Sequence, residues 1–139
     1  MSVTVEGEVV GAIGHGLVAF VGAGKGDTEV DVTYLVEKIT NLRVFPDEAG
    51  RMSRSLIDTG LALLFVSQFT VYGDVRRGRR PGFDDAMDPG EAEPLLEKLV
   101  ALARSKGVRV ETGRFRADMR VTVENDGPVT LLIDSRKTF

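Results

Sequence analysis

Leu61-Ala62-Leu63-Leu64-Phe65-Val66-Ser67-Gln68-Phe69-Thr70-Val71-Tyr72 is the stretch on which the fold of this chain turns. Its first six residues are the most apolar run in the sequence. A bounded run of that length predicts a buried strand, and it is far short of the ~20 apolar residues that span a bilayer. The strand would deliver Ser67, Gln68, Thr70 and Tyr72 to the rim of a rigid sheet, where sites are commonly built. If strand alternation continued, Ser67, Phe69 and Val71 would share one face and Gln68, Thr70 and Tyr72 the other. These residues offer hydroxyls and an amide but no strong base. Taken alone they fit satisfied strand-end polar groups as well as a catalytic set.

A second segment, Asn125-Asp126-Gly127-Pro128-Val129-Thr130, joins the alternating runs 121–123 and 130–133 and puts a Gly-Pro dipeptide where they meet. A proline in a turn is commonplace, and only about 5–6% of X-Pro bonds in folded proteins are cis. This segment, too, is ambiguous unaided.

Around these two segments the order of elements is α+β. Val3-Thr4-Val5 and Val9-Val10 flank Glu6-Gly7, a hairpin pattern. Residues 17–21 read as a strand stopped by Gly22-Ala23-Gly24. Thr28 with Asp31 three residues on has the form of a capping box, and Val32, Leu35, Val36, Ile39 and Leu42 keep helical spacing. A return to strand is expected over 42–45, before Pro46. Residues 73–89 form a long polar connection. A second helix is expected from about Glu91 to Lys106, with Leu95, Leu96, Leu99 and Leu102 on one face, Gly107 as its stop, and Pro94 in its first turn. Strands follow at 108–111, 119–124 and 129–134. No βαβ alternation is evident, so antiparallel or mixed sheets packed on two main helices are predicted.

Composition narrows the chemistry. At 139 residues the chain allows one domain with a real core. Hydrophobic content of 42% and charged content of 28% are ordinary for a globular protein. A net charge of −3 gives no global attraction to nucleic acid, so any RNA contact must come from a local patch. With no Cys, a disulfide framework, a thiolate zinc site and a Cys nucleophile are excluded. A single His leaves no His-cluster metal site and little room for a Ser-His triad. The absence of Cys suits a reducing cytosol, and the polar, strand-like N-terminus does not read as a signal peptide. No metal, cofactor or membrane is called for.

Other features have bland readings. Gly22, Gly24 and Gly26 lie between a strand and a helix, but lack the phosphate-binding spacing and the Lys-Ser/Thr of a P-loop, so they read as a flexible turn. His15, between Gly14 and Gly16, reads as a turn residue rather than a base. Asp84, Asp85, Asp88 and Glu91 lack the spacing of an EF-hand loop and read as acids leading into a helix N-terminus. Arg76, Arg77, Arg79 and Arg80 admit two readings, a solvated loop or a set of phosphate contacts. Their position beside the polar strand end favours RNA.

Both leading segments resemble the signature motifs of the D-aminoacyl-tRNA deacylase family, and the resemblance runs to about Ser135. It includes Gly7-Glu8-Val9-Val10-Gly11, Lys25-Gly26-Asp27-Thr28, Lys38-Ile39-Thr40-Asn41-Leu42-Arg43, Gly78-Arg79-Arg80-Pro81, Thr112-Gly113-Arg114-Phe115 and Ala117-Asp118-Met119. It implies a barrel-like, cytoplasmic homodimer that removes D-amino acids, and glycine, from mischarged tRNA without a cofactor. On the same ground, Ser67, Gln68, Phe69 and Thr70 form the pocket wall, with the backbone of Gln68 and Phe69 taking part, and Met119 lies at the substrate. Gly127-Pro128 is implied to be a cis dipeptide that reaches into the partner subunit's pocket. Its carbonyls would accept from the substrate's α-ammonium, and the side chain of an L-residue would clash with that backbone.

Two differences from the family stand out. Family members usually begin with a further strand containing Gln-Arg-Val, and the chain is read as a single domain, 1–139, lacking that strand. Arg116 stands where a Gly is usual, a place where positive φ would strain it. Two mechanisms are open. Thr70 could be a nucleophile, yet no base is evident to activate it. Alternatively the pocket positions the ester, backbone N–H groups stabilise the oxyanion, and the tRNA's 2′-hydroxyl assists water; this second account is favoured. A non-catalytic RNA-binding or interaction domain is the rival reading.

Overall fold

In a computed structural model, which describes residues 1–127 and 129–139, the apolar run becomes the central strand of the molecule. This strand, β6 (Ala62–Ser67), is buried along its first five residues. Its alternation sorts them onto two cores. Leu63 and Phe65 join a large cluster with Val32, Val36, Ile39, Leu96, Leu99 and Ala103. Ala62, Leu64 and Val66 face the other way, toward Val3 and Ile13. A strand covered on both faces has no use for polar residues, which is why the run shows no alternation of its own.

Three strands form a parallel sheet in the order β3 (Gly16–Val21), β6 and β7 (Val110–Thr112). A second, antiparallel sheet has the order β2 (Glu8–Ala12), β1 (Ser2–Val5) and β8 (Arg120–Thr122). The two sheets abut where Gly11 passes Thr112 so closely that a Cβ would fall 2.2 Å from the Thr112 carbonyl oxygen. Helices α1 (Glu29–Asn41) and α3 (Pro89–Ser105) cover the outer face of the parallel sheet. The α+β class with mixed sheets and two main helices is as the sequence predicts. Among the described residues no helix is long and apolar enough to cross a membrane.

Local signals translate directly. Val5 pairs with Glu8 across a two-residue turn, with Glu6 and Gly7 at positive φ as such turns require. The capping box opens α1: Asp31 accepts from the Thr28 amide at 2.8 Å, and the Thr28 hydroxyl accepts from Val30 at 3.3 Å.

Several expectations are corrected. Parallel pairing makes β6–α3–β7 a crossover unit, and β3 reaches β6 through α1, so the absence of βαβ alternation does not hold. The long connections between these elements obscure it. The strand expected over 42–45 shrinks to β4 (Phe45–Pro46), which pairs with β5 (Met52–Arg54), because Val44 turns back to hydrogen-bond Leu42. A short helix, α2 (Leu56–Thr59), capped by Ser55 and Asp58, adds to the expected elements. Pro94 lies inside α3 rather than in its first turn, because the helix starts earlier, at Pro89. Residues 129–134 form no strand among the described residues, since their alternation specifies extended chain but supplies no partner edge. Arg116 does adopt positive φ, at 63°.

Candidate active site

Parallel pairing decides where the first motif sits. In the register of β3 on β6, Val21 lies opposite Ser67, so both strands finish at the same end of the sheet. The C-terminal ends of parallel strands are a favoured location for ligand sites. Beyond Ser67 the strand does not continue. The Gln68 amide donates back to the Val21 carbonyl at 2.8 Å, and Phe69–Tyr72 coil into a 3-10 turn. Alternation of faces therefore stops at Ser67. Phe69, Thr70 and Val71 are all exposed, while Ser67, Gln68 and Tyr72 are half-buried.

Within this turn the Gln68 Nε2 donates to Thr70 Oγ1 at 2.5 Å, orienting the hydroxyl. No carboxylate or imidazole hydrogen-bonds Thr70 among the described residues; His15 instead packs edge-on against Phe45, with ring centroids 5.7 Å apart. The first 3-10 bond runs from the Val71 amide to the Gln68 carbonyl at 3.2 Å. The amides of Phe69 and Thr70 precede it and have no acceptor inside the turn. The site thus presents two backbone donors, a hydroxyl and an amide.

The glycine turn read as flexible from sequence is the floor of this site. A Cβ on Gly22 would fall 2.4 Å from Val71 Cγ2 and 2.9 Å from the Gln68 carbonyl oxygen. On Gly24 it would fall 2.5 Å from the Tyr72 hydroxyl oxygen and 2.6 Å from Cζ. Glycine is required here for close approach, a role that glycines next to a strand signal in general terms. Burial, with Asp27 nearby adding to it, raises the Tyr72 phenol above its ordinary value. Phe83, which sequence reading passed over, packs edge-on against Phe69 at 5.1 Å between centroids.

The arginine run forms the tip of a loop closed by paired backbone hydrogen bonds between Asp74 and Gly82, at 2.7 and 2.9 Å. Arg76 folds back along its own loop and stays exposed, its Nε and Nη2 donating to the two Asp74 oxygens at 2.9 and 2.8 Å. That pair holds the Asp74 carboxyl well below the usual carboxylate range. Arg77, Arg79 and Arg80 are exposed and form no ion pair among the described residues. Arg77 and Arg80 line an open groove of about 480 Å³ together with Asp84 and Asp85. Asp88 stands at the N-cap position of α3 without a side-chain capping hydrogen bond, and Glu91 lies in the first turn, so these acids do lead into the helix N-terminus.

The second motif is held differently. Asn125 Nδ2 donates to Thr130 Oγ1 at 3.1 Å, clasping the loop on itself, and Gly127 is exposed at a φ of 134°. No hydrogen bond joins this loop to 67–72 among the described residues. The cis Gly127-Pro128 bond expected above lies outside them. Met119 is half-buried against the inter-sheet core, its sulfur over Gly113.

Residues 1–134 match the D-Tyr-tRNA(Tyr) deacylase family. The chain belongs to that family. A D-aminoacyl-tRNA deacylase of Sorangium cellulosum is 61% identical over 138 residues, covering 99% of this chain and 92% of that protein. Its counterpart in Symbiobacterium thermophilum is 58% identical over 137 residues, covering 99% and 91%. Among solved structures, a c-Myc DNA unwinding element binding protein superposes with a TM-score of 0.87 at 41% identity, over 94% of this chain and 89% of that one. A probable eukaryotic D-amino acid tRNA deacylase, at 16% identity and a TM-score of 0.71 over 86% of each chain, shares the fold.

Proposed function

We propose that this protein hydrolyses the ester linking a D-amino acid, or glycine, to the terminal adenosine of tRNA, and that it spares L-aminoacyl-tRNA. The observation that carries the reading is the Gln68–Thr70 rim: two backbone amides with no acceptor among the described residues and an oriented hydroxyl on a rigid strand end, in a chain of this family. Water adds to the ester carbonyl carbon, and the negative charge that develops on the carbonyl oxygen is met by the Phe69 and Thr70 amides. Collapse of the tetrahedral intermediate expels the ribose oxygen, which takes up a proton, and releases the amino acid. Thr70 has no base beside it, so it positions the ester and the tRNA's 2′-hydroxyl assists the water.

The site functions in a homodimer in the cytoplasm. Phe69, Val71 and Val75 are exposed around the first motif, and Val129, Leu131 and Leu132 beside the second, with Leu132 80% exposed. Apolar surface of this kind on two segments favours cover by another chain. A second copy would bring its Gly127-Pro128 to Gln68 and Thr70, with Met119 behind, and its backbone would exclude an L side chain while admitting a hydrogen. Arg77, Arg79 and Arg80 then meet tRNA phosphates, with Arg76 holding the loop.

Single-turnover release of amino acid from D-aminoacyl-, glycyl- and L-aminoacyl-tRNA tests the reading. Release from the first two and not the third is expected. Binding of tRNA with no release from any would favour a non-catalytic RNA-binding domain, and equal release from D- and L-esters would overturn the exclusion.

A further inference from the structure

The segment after Ile133 crosses the molecule to the glycine turn, more than 100 residues away in sequence. Arg136 Nη2 donates to the Lys25 carbonyl at 2.6 Å and to Asp27 Oδ1 at 2.8 Å. The other oxygen of that carboxylate, Asp27 Oδ2, accepts from the Gly24 amide at 2.7 Å. One carboxylate therefore couples a guanidinium to the backbone on which Tyr72 lies. The Asp27 side chain is only 8% exposed, whereas that of Arg136 is 49% exposed. Ser135 beside it donates to Asp31 Oδ1 at 2.8 Å, fixing the segment to the capping box of α1.

We infer that Arg136 is a positioning residue for the 67–72 site, acting through Asp27 and the glycine turn. Among the described residues it makes no hydrogen bond to 67–72 itself. Its effect passes along Asp27 to Gly24, from Gly24 to the ring of Tyr72, and from Tyr72 to the 3-10 turn that carries the Phe69 and Thr70 amides. The glycine turn is anchored from its other side, where Lys25 N–H donates to the Asp85 carbonyl and Met87 N–H to the Ala23 carbonyl, at 3.0 and 2.9 Å. The arginine loop thus returns onto the floor that Arg136 holds. A carboxylate this poorly hydrated needs its cation. Without Arg136, Asp27 swings toward water, the Gly24 amide loses its acceptor, and the Tyr72 ring lifts. Two amides that must meet a developing oxyanion then lose their alignment.

This inference rests on the proposed deacylase reading, and its test separates the two. Arg136→Gln should lower single-turnover release from D-aminoacyl-tRNA at saturating enzyme by roughly 10- to 100-fold, the scale of a misplacement of about 1 Å. The tRNA concentration giving half-maximal rate should change little. Arg136→Lys should restore most of the rate, because an ammonium can still pair with Asp27. Lys98→Gln, which removes an exposed pairing with Glu29, should leave the rate unchanged. The floor is read independently of activity. In a Tyr34→Phe background Tyr72 is the sole tyrosine, and there is no Trp. Acrylamide should quench its fluorescence more strongly once Arg136→Gln is added. A folded Arg136→Gln protein with wild-type quenching, or with greater quenching and an unchanged rate, would overturn the inference. If the wild-type protein released no amino acid, the deacylase reading would fail, and unchanged quenching would still count against the brace.

Discussion

The two family motifs are held in opposite ways. Residues 67–72 are seated on a strand buried on both faces and pressed onto a glycine floor, with Leu64 and Val66 fully buried directly behind them. Among the described residues the loop 125–130 is clasped only by a hydrogen bond on itself and runs into Leu131 and Leu132, which are exposed. In the proposed function the first motif is a finished half of a site within one chain. In the same proposal the second is a half whose partner surface belongs to another copy of the chain. A site divided in this way can make its chemistry and its selectivity depend on assembly.

The contrast can be broken from the first side by Leu64→Ala. Both faces of β6 carry core, so a loss of about 2–5 kcal/mol is expected in denaturant unfolding. A loss below 1 kcal/mol would mean that the strand end is less rigidly founded than its burial implies. On the other side, Leu132→Asp should leave monomer stability within about 0.5 kcal/mol, as for an exposed position. It should weaken self-association by about 100-fold or more, because an unpaired carboxylate would be buried in the dimer interface. Sedimentation over a concentration series measures this, and the deacylation rate should track the dimer fraction. An unchanged dimer with wild-type rate would move the completing surface elsewhere.

Thr70→Ala sharpens the role of the finished half. With backbone and RNA carrying the chemistry, a loss near tenfold, about 1.4 kcal/mol, is expected in single turnover. A nucleophile would cost on the order of 10⁴–10⁶. Replacing Arg77, Arg79 and Arg80 by Gln should flatten the dependence of log tRNA affinity on log salt by roughly 0.7–0.9 for each phosphate left unneutralised. An unchanged slope would return these side chains to a solvated loop. Smallest of all, Arg116→Gly should raise stability by about 1 kcal/mol, because a left-handed conformation costs a residue with a Cβ about that much. A fall in melting temperature would show that the Arg116 side chain compensates its strain.

What the sequence determined alone is what neighbouring residues decide among themselves. Apolar spacing set the two helices, Thr28 with Asp31 set the start of one, Glu6-Gly7 set the first hairpin, and an unbroken apolar run set the central strand. The motifs are equally local, which is why the family was legible before any fold was known. The rest depended on which edges met. Parallel pairing of β3 with β6 brought Gly22 and Gly24 beneath Val71 and Tyr72 and turned an apparently flexible turn into a floor. Crowding at that strand end ended the alternation at Ser67, so Phe69, Thr70 and Val71 came to the same exposed turn. The 129–134 run shows the limit from the other direction: alternation favours extended chain, but a strand also needs an edge to bond to. Arg136 and Asp27 carry no mutual signal at a separation of 109 residues. Only packing closes such a distance, because the entropy of loop closure is offset by contacts that exist once the cores have formed.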